Sequence, residues 1–260
     1  MLIQPLLDKL LILKLSGMKE ALSDQLNNPH YGECSFEERL DLLVDHELTL
    51  RNERRLKRRL KKAHFGEKAV LADVDMCAPR GLDRSLLRSL SKGDWIRQHL
   101  NIIITGATGV GKTYLASALG YCACEQDFSV RYYRTSRLLN DIFASHADGS
   151  WGKLLDSLAR VRLLVLDDWL RDRLTTDQVR NLLEIFDDRW QKGATILISQ
   201  VPIGQWHERM GEPTLADAVL DRMVHNSYRI DMKGESRRKQ IANENKKKME
   251  ELQIQGGKKQ

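Results

Sequence analysis

The chain has 260 residues, with 42 Lys and Arg against 36 Asp and Glu, for a formal net charge of +6. That length holds one large or two modest domains and buries a core without disulfides or metals. The basic balance fits a polyanionic partner. Cys34, Cys77, Cys122 and Cys124 match no zinc spacing, because Cys122 and Cys124 are separated by Ala123 alone. They are read as reduced thiols of a cytoplasmic protein. The apolar stretch from Leu2 to Leu15 is broken by Gln4, Pro5, Asp8, Lys9 and Lys14, too short and polar for a signal peptide or a bilayer span. No later segment qualifies, so no membrane partner is expected.

Residues 1–70 read as a helical N-terminal domain. Leu6, Leu7, Leu10, Leu11, Leu13 and Leu15 crowd a helix expected to stop near Gly17. Met18, Ala21, Leu22 and Leu26 then recur at helical spacing until the turn residues Asn27, Asn28 and Pro29. Ser35 and Glu38 form a Ser-x-x-Glu capping box. Leu40, Leu43, Val44, Leu48, Leu56 and Leu60 carry the next helix to about Ala63. Its second half is basic: Arg51, Arg54, Arg55, Lys57, Arg58, Arg59, Lys61 and Lys62, opposed by Glu53. Such a run is either a solvated face or a polyanion-binding face. Crowding of one sign costs helix stability unless something neutralises it, which favours the second reading.

Residues 71–98 read as a linker and lead-in, broken at Pro79 and Gly81, with Asp83 capping a short helix through Leu90. Residues 99–240 alternate β and α. Short apolar strands are expected at Asn101–Ile104, Val130–Arg134, Leu163–Leu166 and Ala194–Ile198, and a last one at Tyr228–Ile230. Thr135 and Ser136 are expected to cap the helix after the second strand. The pattern predicts an α/β fold, a parallel sheet with helices on both faces. Residues 241–260 read as a basic, disordered tail.

Gly106, Ala107, Thr108, Gly109, Val110, Gly111, Lys112 and Thr113 match G-x-x-x-x-G-K-[ST], between a predicted strand and the apolar helix that opens at Tyr114. A chance match in a chain this long is on the order of one per cent. In such a loop backbone amides and the helix N-terminus hold phosphates, the lysine reaches the β- and γ-phosphates, and the threonine hydroxyl ligates Mg²⁺. The third strand ends in Asp167 and Asp168. Asp167 is placed to hold Mg²⁺ and Asp168 to orient or deprotonate the attacking water. The fourth strand ends in Ser199 and Gln200, where a polar side chain reaches the γ-phosphate or the water. Arg222, on a helical stretch after Pro213, is either a surface arginine or one supplied across a subunit boundary.

In order, GATGVGKT, LLVLDDW, TILISQVP, LADAVLDRMVHNSYRI and GESRRK resemble the IstB family, the helper ATPases of insertion-sequence transposition and relatives of DnaC-type helicase loaders within the AAA+ class. GMKEAL, FEERLDLL and RRLKRRLKKAHF extend the resemblance over about residues 5–240. The resemblance implies an AAA+ domain behind a small helical domain. It also implies ATP-driven assembly on double-stranded DNA, ATP at the interfaces of a homo-oligomer, and recruitment of a cognate transposase. Arg222 aligns with the family's trans-acting arginine. Gln200 stands where many AAA+ proteins carry asparagine, and Asp168 where most carry glutamate; the shorter arm implies slow turnover suited to a switch. In place of the usual lid arginine, Arg237 or Arg238 is left as the candidate. A helicase loader is the alternative with the same core, and the basic helix favours duplex DNA over a protein surface. A small-molecule kinase is disfavoured, because no acceptor segment or arginine-rich lid follows the acidic strand.

Overall fold

The structure, a computed structural model, describes residues 3–66, 68–74 and 81–237. Cys77, Pro79, Arg238 and the 241–260 tail lie outside the described residues. The chain divides into two compact units, residues 1–59 and 60–260.

The first unit is helical: α1 (Ile3–Ile12), α2 (Ser16–Asn27) and most of α3 (Phe36–Ala63). The first helix ends at Ile12, somewhat before the expected stop near Gly17, which itself lies in the first turn of α2. Glu47 on α3 accepts the amides of Gly17 at 2.6 Å and Met18 at 3.2 Å, so a neighbouring helix caps α2. A Cβ at residue 17 would stand 2.8 Å from the Glu47 Cα. The glycine therefore serves close approach, not breakage. At the other end of α2, Gln25 donates to the Arg39 carbonyl at 2.8 Å and accepts from the Arg39 guanidinium at 3.2 Å. The Ser35–Glu38 box is formed in both directions, at 2.8 and 3.2 Å.

The second unit begins with the last turn of α3, then α4 (Arg84–Ser91), which Asp83 caps through Ser85 N at 2.7 Å, and α5 (Asp94–Arg97). There follow β1 (Asn101–Gly106), α6 (Lys112–Glu125), β2 (Val130–Arg134), α7 (Thr135–Ala147), α8 (Trp151–Ala159), β3 (Leu163–Asp167), α9 (Thr176–Arg189), β4 (Ala194–Ser199), α10 (Trp206–Met210), α11 (Pro213–Val224) and β5 (Ser227–Met232). The five strands pair in parallel in the order β2-β3-β4-β1-β5. The central strands β3 and β4 are buried throughout, as continuous apolar runs require, while edge strand β5 keeps Tyr228 and Arg229 exposed. On one face Ile103, Leu164, Leu166 and Leu197 join Leu138, Phe186, Trp206 and Val219 in a single core. Helix α6 packs against β1, β3 and β4.

Thr135 does not cap α7 from outside; it is the helix's first residue. Its hydroxyl donates to the Asp167 carbonyl at 2.8 Å, so it ties β3 to the start of α7 instead. Arg189, 1 % exposed, donates to the carbonyls of Leu158, Val161 and Ala194 and so joins α8, α9 and β4. Burial pulls its guanidinium down to about 9.

Candidate nucleotide site

The C-terminal ends of β1, β3 and β4 open onto one cavity, at the end of the sheet where open α/β folds hold ligands. Gly106 (φ +143°) and Gly109 (φ +85°) shape the loop between β1 and α6. A Cβ on Gly106 would meet the Met232 carbonyl at 2.2 Å, and one on Gly109 the Ser236 hydroxyl at 2.2 Å. Val110 is buried under the loop. Lys112 opens α6, is 7 % exposed, and donates to the carbonyls of Gly106 and Ala107 at 2.8 Å each. Its ammonium is thereby held at the mouth of the loop.

Thr113, one residue on, donates its hydroxyl to Asp167 Oδ2 at 2.8 Å. Two motifs 54 residues apart therefore meet as one group of hard oxygen donors, the chemistry Mg²⁺ prefers. Asp167 is 5 % exposed; its Oδ1 accepts the Asp168 amide at 2.8 Å, and its Oδ2 also accepts the Tyr132 hydroxyl at 2.6 Å. Burial first, and the neighbouring Asp167 second, hold the Tyr132 phenol well above its usual range, so it stays a donor. Asp168 has φ +55° and lies 3.6 Å from the Arg171 guanidinium. Gln200 accepts the Thr108 hydroxyl at 2.6 Å, tying the end of β4 to the loop.

The cavity measures about 680 Å³, within the size range of small-molecule sites. Thr108, Gly109, Gly111, Lys112, Thr113, Tyr114, Asp167, Asp168 and Gln200 line it. Arg222 does not: it pairs with Asp187 on α9 and donates to the Ala218 carbonyl at 2.9 Å. Sequence reasoning missed Asp73, Val74, Arg134 and Arg171, which also line the cavity. Residues 71–74 were read as linker, yet the Tyr114 hydroxyl bonds both the amide and the carbonyl of Val70, at 3.3 and 3.4 Å, and so tethers them beside the loop. Arg237 reaches the cavity as well, its amide donating to the Gly109 carbonyl at 2.9 Å.

On α3, the basic side chains follow the helix through its last turns. Arg51 is engaged by Glu47 at 2.6 Å. Arg54, Arg55, Arg58, Lys61 and Lys62 are exposed and Arg59 is half-buried. Among the described residues no helix is long and apolar enough to cross a membrane.

A parallel sheet in this order, with a glycine-rich loop, an acidic β3 end and a polar β4 end around one cavity, defines a P-loop nucleotide-binding protein. The profile of the IstB-like ATP binding protein family matches residues 8–245, and the chain belongs to that family. It is 45% identical over 239 residues to y4pL of Sinorhizobium fredii, whose name assigns it to an insertion sequence and to ATP binding, covering 92% of this chain and 98% of that one. It is 46% identical over 203 residues to a Pseudomonas fluorescens protein similarly named for insertion sequence IS1162, covering 78% and 88%. Among solved structures, the fold is shared with DnaI (TM-score 0.54, 20% identity, 64% and 92% covered) and with DnaA from Aquifex aeolicus (TM-score 0.55, 19% identity, 71% and 56% covered).

Proposed function

We propose that this protein is an ATP-switched assembly factor of insertion-sequence transposition. It acts in the cytoplasm, oligomerises with ATP at subunit boundaries, binds duplex DNA, and recruits and stimulates a partner transposase. In this reading residues 1–70 bind DNA and support assembly, and residues 99–240 hydrolyse ATP. The observation that carries the reading is the convergence of Lys112, Thr113, Asp167, Asp168 and Gln200 on one cavity in a chain of this family.

Each side chain has a task that its position supports. The loop amides and the N-terminus of α6 bind phosphate oxygens, and Lys112 neutralises the β- and γ-phosphates. Thr113 and Asp167 are the residues that would hold Mg²⁺, which supplies further charge neutralisation. Asp168 orients the attacking water and accepts its proton. Gln200, fixed on Thr108, reads whether the γ-phosphate is present. Arg222, outside its own cavity, serves the site of the adjoining subunit. Arg54, Arg55, Arg58, Arg59, Lys61 and Lys62 face phosphodiesters, with Arg51 contributing less because Glu47 holds it.

The test is assembly on duplex DNA with ATP, with ADP and without nucleotide, followed by capture of the transposase encoded in the same insertion sequence. The expected result is a large DNA complex with ATP alone that retains the transposase. Equal DNA binding in all three conditions would sink the switch.

A further inference from the structure

Asp167 is held by more than the phosphate loop. Its Oδ2 accepts two hydroxyls, from Thr113 at 2.8 Å and Tyr132 at 2.6 Å, while its Oδ1 accepts the Asp168 amide at 2.8 Å. Three donors of different origin fix the carboxylate in its plane. One comes from the phosphate loop's helix and one from the residue that follows β3. The third comes from β2, whose register puts Arg134 beside Asp167 and Tyr132 beside Val165. Tyr132 and Asp167 thus share a sheet face two residues apart, and the length of the phenol closes the gap.

The ring is itself held in place. Phe65 packs 6.3 Å from the Tyr132 ring and 5.0 Å from that of Tyr121, and its own ring fills the space a side chain at Gly120 would occupy. Just before Phe65, the Lys62 carbonyl accepts from Arg131 of β2 at 2.9 Å. The tyrosine therefore reaches Asp167 from a braced strand, not as a loose surface side chain.

We infer that Tyr132 is a positioning residue for the metal-holding carboxylate: its hydroxyl sets the orientation of Asp167, and through it the affinity of the site for a divalent cation. The physical reason is that a ligand's outer partner fixes its direction, and loss of such a partner commonly weakens metal binding about 10- to 100-fold. Because Thr113 donates its hydroxyl hydrogen to Asp167, its oxygen lone pairs would be available to a cation. Tyr132 donates a second hydrogen bond to the same carboxylate oxygen. Tyr132 does not line the cavity, so its effect falls on the cation and not on nucleotide binding as such.

This inference rests on Asp167 being the metal-holding group, and the experiment separates the two ideas. Mn²⁺ binding to the ADP-bound protein is measured by electron paramagnetic resonance for the parent, Tyr132→Phe, Phe65→Leu and Asp167→Asn. ATP affinity is measured in EDTA by calorimetry, and melting curves check the fold. Tyr132→Phe keeps the ring and its packing. It should weaken Mn²⁺ about tenfold and leave the EDTA affinity for ATP unchanged. Phe65→Leu, which loosens the ring, should shift Mn²⁺ in the same direction by less, and it supplies the test if Tyr132→Phe does not fold. If Asp167→Asn loses Mn²⁺ while Tyr132→Phe stays within twofold of the parent, Tyr132 merely packs and the inference is overturned. An equal loss of ATP affinity in EDTA would also overturn it. If Asp167→Asn itself leaves Mn²⁺ binding intact, the underlying reading of Asp167 fails instead.

Discussion

Arg222 on α11 is ion-paired with Asp187 on α9 of its own chain. The pair leaves the Arg222 side chain 29% exposed and outside the cavity lined by Lys112, Asp167, Asp168 and Gln200. Arg222 has no place in the cavity of its own chain, so the role proposed for it requires the site of an adjoining subunit.

The first prediction concerns that arginine. Arg222→Ala should bind ATP normally, because its own cavity is intact, and should lose about 10³-fold in hydrolysis. Mixing it with Lys112→Ala subunits restores composite sites with a live loop and an intact arginine. ATPase rate against mixing ratio, with DNA present, should pass through a maximum above both pure variants. A monotonic curve from confirmed mixed oligomers would remove Arg222 from the reaction. Asp187→Asn, which loosens the guanidinium, should fall between parent and Arg222→Ala.

Lys112→Ala and Asp168→Asn should separate binding from chemistry. The first should abolish equilibrium ATP binding, since Lys112 carries the charge at the mouth of the loop. The second should retain binding and lower turnover about 10²- to 10⁴-fold, since an amide is no base. Parent-like turnover in Asp168→Asn would assign the water to another residue.

For the basic helix, Arg54, Arg55, Arg58 and Arg59 replaced together by glutamine should weaken duplex binding for all sequences alike. The log–log salt slope should fall by about 0.9 for each phosphate contact removed. An unchanged slope would make this a solvated face.

Glu47 gives a pH signature in the N-terminal unit. Burial pushes its carboxyl up, but the Arg51 guanidinium and the Met18 and Gly17 amides together outweigh it, so its folded pKa lies below the ordinary 4.5. Its stabilisation is therefore present above pH 4.5 and is lost as pH falls through the folded value. Glu47→Gln should flatten the acid limb of helix loss followed by circular dichroism. An acid limb identical to the parent's would show that other carboxylates govern it.

Arg189→Met should lower stability by about 3 kcal/mol, since the carbonyls of Leu158, Val161 and Ala194 lose a shared buried donor. Denaturant melts measure this, and a loss under 1 kcal/mol would mean that water or backbone shifts replace the guanidinium.

The strands and the phosphate loop were legible because their signals are local. Apolar runs, glycine spacing and the Asp167–Asp168 pair need no partner to be recognised. What the sequence hid depends on register and on contacts between distant segments. Gly17 looked like a helix stop because its reason for being glycine, Glu47, is 30 residues away. Thr135 looked like a cap because its partner is the Asp167 carbonyl, 32 residues on. Tyr132 was one of two adjacent tyrosines, and only the pairing of β2 with β3 tells which of them meets Asp167. Asp73 and Val74 belonged to a stretch without periodicity, and their place beside the cavity depends on its packing against α6, where the Tyr114 hydroxyl holds Val70.

The end of β5 and the chain just beyond it lie on the glycine loop: Met232 against Gly106, Ser236 against Gly109, and the Arg237 amide on the Gly109 carbonyl. The phosphate cradle and the exit of the polypeptide are thus one mechanical joint. Free-energy reciprocity then binds them together. Whatever factor nucleotide exerts on the hold of residues 236–237, a grip on those residues must exert on nucleotide affinity. A partner that pulls on the chain there would loosen or tighten ATP without ever entering the cavity.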